Sequence, residues 1–178
     1  KKGLLPGHQT IFFYSKTSNF KFNTIYKDYS PTTNIDQILQ ERVRNSEGKA
    51  SYKYDKKGNI VIAKEKKGVP MSDVWEIPFL NPKAKERTGY PTQKPIELLE
   101  KIIQISTDEG NLVLDPFCGS GTTILAAKNS GRNSVGIETE EFYCNYIVRR
   151  LELHRNIFDD YTIEYVDLSH EADTYTSM

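Results

Sequence analysis

One stretch in the second half of the sequence most constrains what this chain can fold into. The apolar run Asn111 to Leu114 leads into a glycine-rich turn at 115–121, and helical spacing follows from Thr122 to Ser130. A second apolar run, Ser134 to Ile137, comes next and is closed by Glu138. A strand, a tight turn, a helix and a second strand in this order predict a βαβ unit with parallel strands, and therefore an α/β fold.

The glycine-rich turn predicts a nucleoside cofactor. Gly119 and Gly121 allow the backbone to turn tightly and to approach a ligand that side chains would exclude. Glu138 lies 19 residues after Gly119, where an acidic side chain can accept hydrogen bonds from ribose hydroxyls. The alternative is an ordinary tight turn after a strand, which Asp115, the helix and Glu138 together disfavour.

The residues around the turn also discriminate between cofactor classes. A phosphate-binding P-loop ends in Gly-Lys-Ser/Thr, whereas Thr122 and Thr123 follow the last glycine here. A dinucleotide fingerprint requires Gly or Ala at position 124, which is Ile124. A turn that opens with the carboxylate of Asp115 suits a cationic sulfonium better than a diphosphate.

Composition indicates a soluble protein of about one to one and a half domains, since the chain has 178 residues. No apolar run is long enough to span a membrane, and no signal peptide is recognisable. The two cysteines, Cys118 and Cys144, are too few for a disulfide scaffold and favour a cytoplasmic location. Because the first residue is Lys1, a fragment or a processed form is expected.

The neutral net charge conceals two opposed halves. Residues 1–101 hold 19 basic and 11 acidic side chains, a net charge of +8, and residues 102–178 hold the remaining 5 and 13, a net charge of −8. A basic half attracts a polyanion such as nucleic acid. Ordinary solvated surfaces that happen to segregate are the alternative.

Outside the βαβ unit, four further elements are predicted from apolar spacing. These are a buried strand at Thr10 to Lys16, a helix at Ile35 to Arg44, a helix from Pro91 to Ser106 and a strand at Tyr161 to Asp167.

A lysine-rich hairpin is predicted at 51–67, with its turn at Gly58-Asn59. Tyr52 and Tyr54 are interleaved with its lysines, a pattern that suits contact with phosphates and bases. The alternative is a solvated hairpin face. The candidate nucleic-acid-binding lysines are Lys53, Lys56, Lys57, Lys64, Lys66 and Lys67.

Several motifs resemble those of DNA amino-methyltransferases. Asp-Pro-Phe-Cys-Gly-Ser-Gly-Thr-Thr at 115–123 is similar to their motif I, Gly-Tyr-Pro-Thr-Gln-Lys-Pro at 89–95 to motif X, and Val-Gly-Ile-Glu at 135–138 to motif II. Residues 8–23 resemble the segment before their target-recognition region. Motifs X and I follow that region, which is the circularly permuted order of the beta class, and the resemblance covers most of residues 8–151.

The resemblance implies S-adenosylmethionine as cofactor and no metal site. Thr92 and Lys94 would hold the methionine carboxylate, Glu138 the ribose, and Phe142 would flank the adenine. The duller alternatives are a helix cap for Thr92, a solvated position for Lys94 and a core position for Phe142. The implied cofactor-binding residues are Thr92, Lys94, Asp115, Phe117, Gly119, Gly121, Thr122, Thr123, Glu138 and Phe142.

The chain departs from the family at the catalytic motif. These enzymes bind the target amino group with Asp/Asn/Ser-Pro-Pro-aromatic, in which the aromatic ring stacks on the flipped base. No Pro-Pro pair occurs in this sequence, so no catalytic residue is assigned. In the beta class the motif would precede residue 1. We therefore expect a missing N-terminal segment, supplied in cis or by a separate chain, and weak or absent cofactor binding and no methylation by this chain alone.

The resulting interpretation is a partial, Rossmann-like S-adenosylmethionine-dependent methyltransferase fold with an inserted, irregular recognition region. Residues 1–23 are assigned to a strand segment of the core, 24–88 to target recognition and 89–178 to the cofactor-binding part. The expected partner is double-stranded DNA, and a homodimer is left open.

The expected activity is site-specific DNA methylation of the restriction-modification type, with adenine N6 favoured over cytosine N4 on family grounds. A non-catalytic DNA-binding subunit or a remnant is the alternative. A small-molecule methyltransferase is disfavoured by the basic insertion and by the motif order.

Overall fold

The computed structural model describes residues 7–32, 34–63, 67–155, 157 and 159–168. The chain divides into two compact units, one of residues 1–76 with 104–107 and the other of residues 77–103 with 108–178. None of the helices in the described part is both long and apolar enough to cross a membrane.

The first unit is built from short elements with few buried side chains. In chain order these are β1 (Tyr26–Lys27), α1 (Ile35–Leu39), β2 (Arg42–Arg44), β3 (Ala50–Tyr52) and β4 (Val69–Pro70). Strand β1 pairs antiparallel with β4, and β2 pairs antiparallel with β3.

The chain after β3 turns back where the sequence predicts it. Gly58 adopts φ 85° and Tyr54 forms an antiparallel bridge with Ile60, which confirms the predicted turn at Gly58-Asn59. The Asp55 carboxylate accepts hydrogen bonds from the backbone N–H groups of Lys57 at 2.8 Å and Asn59 at 2.9 Å. This side chain therefore stabilises the turn by satisfying its backbone donors.

The predicted helix at Ile35 to Arg44 is wrong beyond Leu39. Residues 42–44 form strand β2 instead, and Gln40 bridges Ile62. The helix ends at Leu39 because residues 40–44 pair with two other segments of the chain. This pairing is more stable than a helix of only a few turns.

The predicted buried strand at Thr10 to Lys16 is also wrong. This segment has no strand assignment, and Phe12 and Tyr14 are 73% and 84% exposed. Its β-branched and aromatic composition favours a strand, but a strand also needs a neighbour, and none of the described residues pairs with it.

The second unit contains the predicted βαβ unit. Helix α2 (Ile96–Ser106), whose last turn belongs to the first unit, is followed by β5 (Leu112–Asp115), α3 (Thr122–Asn129), β6 (Asn133–Gly136) and α4 (Glu141–Leu153). Strands β5 and β6 are parallel, with Leu114 opposite Val135 and Asp115 opposite Gly136. The α/β class is thus confirmed, as a partial Rossmann-like fold.

One of the two buried clusters of this unit lies between helix α3 and one face of the sheet, and the other joins α3 to Leu151 of α4. Ile103, Ala126 and Ala127 form a buried cluster against which Val113 packs. The small alanine side chains let α3 lie close to the strand, which favours dispersion contacts.

In the described part of the chain, the side chains on the opposite face of the two-stranded sheet are exposed. Leu112, Leu114, Val135 and Ile137 are 64%, 60%, 45% and 52% exposed. Parallel strands are normally buried on both faces, and side chains alternate between the faces along each strand. The sheet therefore has one packed face and one apolar face in contact with solvent.

Two predicted boundaries in this unit are wrong. Helix α2 begins at Ile96 rather than Pro91, because residues 90–93 form a turn in which the Gln93 N–H donates to the Tyr90 carbonyl oxygen at 3.2 Å. The predicted strand at Tyr161 to Asp167 is absent from the described part of the tail. Instead, the Tyr161 hydroxyl donates to the Leu151 carbonyl oxygen at 2.7 Å, which anchors the segment without strand pairing.

Adjacent residues on β5 provide a matched test of which sheet face is packed. We expect Val113→Ala to lower the free energy of unfolding by about 1 to 2 kcal/mol, because it removes packed methyl groups. Leu114→Ala should change it by less than about 0.5 kcal/mol, since Leu114 is largely exposed. Urea unfolding of the two variants measures both values, and a larger loss for Leu114→Ala would contradict this packing.

Candidate functional site

The loop at 115–121 leaves the carboxyl end of β5 and is closed by its own hydrogen bonds. The Asp115 carboxylate accepts from the Phe117 N–H at 3.1 Å, and the Gly121 N–H donates to the Cys118 carbonyl oxygen at 2.8 Å. The Cys118 N–H donates to the Ile137 carbonyl oxygen at 3.0 Å. The loop is thereby attached to the end of the neighbouring strand.

Glycine is required twice in this loop. Gly119 and Gly121 adopt φ values of 52° and 74°, in the left-handed region. A Cβ atom at Gly119 would lie 2.8 Å from the Tyr90 ring, and one at Gly121 would lie 2.8 Å from Ile147. Both positions therefore need glycine for conformation and for close packing.

Glu138 lies just beyond β6, at the same sheet edge as the loop. Its carboxylate accepts from the N–H groups of Thr139 at 2.8 Å and Glu140 at 3.1 Å. Burial raises its pKa, but the N–H groups of Glu140, Thr139 and Gly119 lower it by more, so the net pKa is below the ordinary value. The carboxylate is ionised at neutral pH and is an acceptor held against the loop.

Two aromatic side chains flank this edge with their surfaces accessible. Phe117 is 90% exposed and Phe142 is 71% exposed. The Phe142 ring packs edge-on against Tyr143, whose ring packs edge-on against Tyr90 at a centroid distance of 4.8 Å. Phe142 is therefore not a core residue, and Tyr90 fills the space over Gly119.

The segment 86–96 is organised by the Gln93 side chain. Its amide oxygen accepts from the Thr88 N–H at 2.7 Å, and its amide nitrogen donates to the Glu86 carbonyl oxygen at 2.7 Å. Thr92 and Lys94, on either side of it, are exposed. The predicted ligand-binding side chains of this segment thus project from a turn fixed by Gln93.

The first residues of α3 differ in what their side chains can contact. The Thr122 hydroxyl is buried and accepts from Arg150 at 3.2 Å, whereas Thr123 is half-buried. Arg150 is itself buried and also donates to the Ser120 carbonyl oxygen at 2.9 Å. The Thr122 side chain is thus engaged within the protein.

Cys118 lies within the loop but is not a nucleophile. Burial, together with the nearby carboxylates of Asp115 and Glu138, raises the pKa of its thiol to about 11. The thiol is protonated at neutral pH and packs as a small apolar side chain. A Cβ at Gly136 would lie 2.9 Å from its sulfur, so the thiol packs directly on β6.

The sequence interpretation missed Tyr90, Gln93 and Arg150. A signal for Arg150 was present, because it falls at helical spacing with the apolar Ile147 and next to Leu151 on α4. Tyr90 and Gln93 stand inside the segment 89–95 that the resemblance had identified. Their roles depend on tertiary contacts that spacing does not report.

The candidate lysines of the first unit are placed differently from one another. Lys53 forms an ion pair with Glu41 at 2.6 Å, and Lys56, Lys57 and Lys67 are exposed. Lys64 and Lys66 lie outside the described residues.

Two arginines that the sequence interpretation did not select share one face of the β2–β3 pair. Arg42 is opposite Tyr52 and Arg44 is opposite Ala50. The Arg42 guanidinium lies 5.1 Å from the centre of the Tyr52 ring. This exposed face adds basic and aromatic groups to those of the lysines.

Comparison with known proteins gives consistent matches. A model of the DNA methylase family matches residues 1–149. The type II methyltransferase M2.DpnII of Streptococcus pneumoniae is 39% identical over 121 residues, which are 68% of this chain and 43% of that protein. M.HpaI of Haemophilus parainfluenzae is 32% identical over 158 residues, 89% of this chain and 42% of that protein. The DNA adenine methyltransferase YhdJ of Escherichia coli K12 is 43% identical over 81 residues, 46% of this chain and 28% of that protein.

This chain therefore spans less than half the length of each of these three relatives in the matched regions. The family model, in contrast, matches all but the last 29 of the 178 residues. On that match, the chain belongs to the DNA methylase family.

Proposed function

We propose that this chain is the S-adenosylmethionine-binding and DNA-recognition portion of a site-specific DNA methyltransferase of the restriction-modification type. The observation that carries the proposal is the arrangement of Asp115 and Glu138. Their strands are parallel and adjacent, so both carboxylates lie at one sheet edge with the glycine-rich loop between them. Ligands of open α/β sheets bind at this edge.

The residues at the edge fit the proposed cofactor. The ionised Glu138 carboxylate suits the ribose hydroxyls, and the exposed rings of Phe117 and Phe142 suit the adenine faces. The start of α3, at Thr123, favours a carboxylate because its backbone N–H groups have no intrahelical partner. Thr92 and Lys94 would complete the contacts to the amino acid end.

S-adenosylmethionine would supply an electrophilic methyl group carried on a sulfonium, for transfer to the exocyclic nitrogen of a base turned out of the duplex. The residues of this chain would bind and orient the cofactor. The Pro-Pro-aromatic motif that binds the target amino group is not in the sequence. We assign it to a further polypeptide segment, in cis or as a separate chain.

Two observations support the need for such a segment. The apolar sheet face formed by Leu112, Leu114, Val135 and Ile137 is exposed, although parallel sheets are normally covered on both faces. The matched relatives are also more than twice as long as the regions they share with this chain. A segment that covers this face would complete the layered α/β fold as well as the active site.

We propose that residues 24–88 contact double-stranded DNA. In the sequence, this region follows a core segment at 1–23 and precedes the cofactor-binding part at 89–178. The exposed Lys56, Lys57 and Lys67 would contact phosphates, as would Lys64 and Lys66. Lys53 would contribute less, since Glu41 neutralises it.

Adenine N6 is favoured as the target because the relative YhdJ is named a DNA adenine methyltransferase. We place the protein in the cytoplasm, because Cys118 and Cys144 are free thiols.

A non-catalytic, DNA-binding subunit is the second candidate. The absence of a Pro-Pro pair from the sequence favours it over a self-sufficient enzyme. A reconstitution experiment distinguishes the two functions. Only the first predicts that methylation is restored when the polypeptide that carries the Pro-Pro-aromatic motif is added.

Substitutions at the sheet edge test the cofactor assignment. Calorimetric titration of S-adenosylmethionine should give weak binding by the chain, weakened further by about tenfold or more in Asp115→Ala and Glu138→Ala, since each removes a charged hydrogen-bonding group. Glu140→Ala is the matched control, because its exposed carboxylate makes no capping hydrogen bond. Binding that survives both substitutions would contradict the assignment, and methyl transfer by the chain alone would contradict the need for a further segment.

Salt dependence tests the DNA assignment. Fluorescence anisotropy of a labelled duplex should show affinity that falls with salt, and Lys56→Gln with Lys57→Gln should reduce the slope of log affinity against log salt by about 2. Lys53→Gln should change the slope less, because Lys53 is paired with Glu41. Equal slopes for the wild type and the double variant would place the DNA surface elsewhere.

A further inference from the structure

Arg150 is a buried cation directly behind the glycine-rich loop. It lies in the last turn of α4 and is 6% exposed. One guanidinium nitrogen donates to the Ser120 carbonyl oxygen at 2.9 Å and to the Thr122 hydroxyl at 3.2 Å. Both acceptors belong to the junction between the loop and α3, about 30 residues away in sequence.

A buried guanidinium is costly unless it is hydrogen-bonded and its charge is balanced. Burial lowers the pKa of Arg150, while Tyr146 and the carboxylate of Glu86 act in the opposite direction. The group nevertheless stays charged, as arginine does in proteins. The guanidinium lies beside the positive end of α3, where the helix dipole disfavours a cation. A further negative group that binds nearby would offset this unfavourable interaction.

The start of α3 has no side-chain cap of its own. The N-cap residue of α3 is Gly121, which makes no side-chain capping hydrogen bond. Ser120 lies between two glycines with positive φ and is only 2% exposed. The Arg150 hydrogen bonds therefore fix a backbone that its own sequence leaves conformationally free.

We propose that Arg150 is a positioning residue for the cofactor loop, which fixes the Ser120–Thr122 backbone and adds positive charge behind the first turn of α3. The charge favours the carboxylate end of a nucleoside that carries an amino acid. This inference rests on the proposed function, since it assumes that the loop binds such a ligand.

Two ligands separate electrostatic positioning from general stability. S-adenosylhomocysteine carries the amino acid end, and 5′-methylthioadenosine shares its adenosine but lacks that end. In calorimetric titrations, Arg150→Met should weaken binding of S-adenosylhomocysteine by about tenfold and of methylthioadenosine by less than about twofold. Arg150→Lys should recover part of the loss because it retains the charge. Arg149→Met is the matched control, since Arg149 is the exposed neighbour on the same helix.

Hydrogen exchange tests the positioning without any ligand. Arg150→Met should accelerate amide exchange at 118–123 relative to wild type, while the amides of α2 keep their rates. Arg149→Met should leave both regions unchanged. Faster exchange throughout the unit would indicate a general structural role and overturn the inference.

The outcomes also separate this inference from the proposed function. Equal weakening of both ligands by Arg150→Met, or no weakening, would overturn the electrostatic role of Arg150 while leaving the cofactor site intact. Binding of neither ligand by the wild type would count against the cofactor site in this chain and against the electrostatic role together. The exchange rates at 118–123 would then decide the positioning role alone.

Discussion

The parallel pairing of β5 with β6 organises the second unit. It brings the Asp115 and Gly136 positions opposite each other, so the two chain segments that follow leave the sheet at the same edge. The Cys118 N–H then bonds to the Ile137 carbonyl oxygen, and the Glu138 carboxylate comes against the loop. A shift of the register by one residue would turn every side chain of one strand to the other face and separate these groups.

The loop between the strands is held from behind as well as by its own hydrogen bonds. Tyr90 covers Gly119, Ile147 packs on Gly121, and Arg150 bonds to the Ser120 carbonyl oxygen. Tyr90 comes from the segment before α2, and Ile147 and Arg150 both lie on α4. The result is a backbone surface that is preorganised for a ligand while the side chains that point outward, Phe117 and Phe142, remain accessible.

The local features of this fold could be predicted from the sequence, and the features that depend on partners could not. The βαβ unit at 111–138 was predicted because its spacing, glycines and strand lengths all favour the same structure. The prediction of a strand at 10–16 is wrong because strand-like composition does not supply a neighbouring strand. Residues 40–44 pair as a strand does because two other segments of the chain lie beside them. Arg150 was missed because only the folded chain brings it to a loop about 30 residues away.

We propose a nucleoside cofactor site at the sheet edge between Asp115 and Glu138. Its most direct test is a titration of S-adenosylmethionine into the isotope-labelled chain, followed through the backbone amide resonances. Binding at this edge should give the largest shifts at 118–123 and 138–142, with little change across the β2–β3 region at 40–63. Shifts confined to 40–63, or spread evenly over the chain, would contradict it.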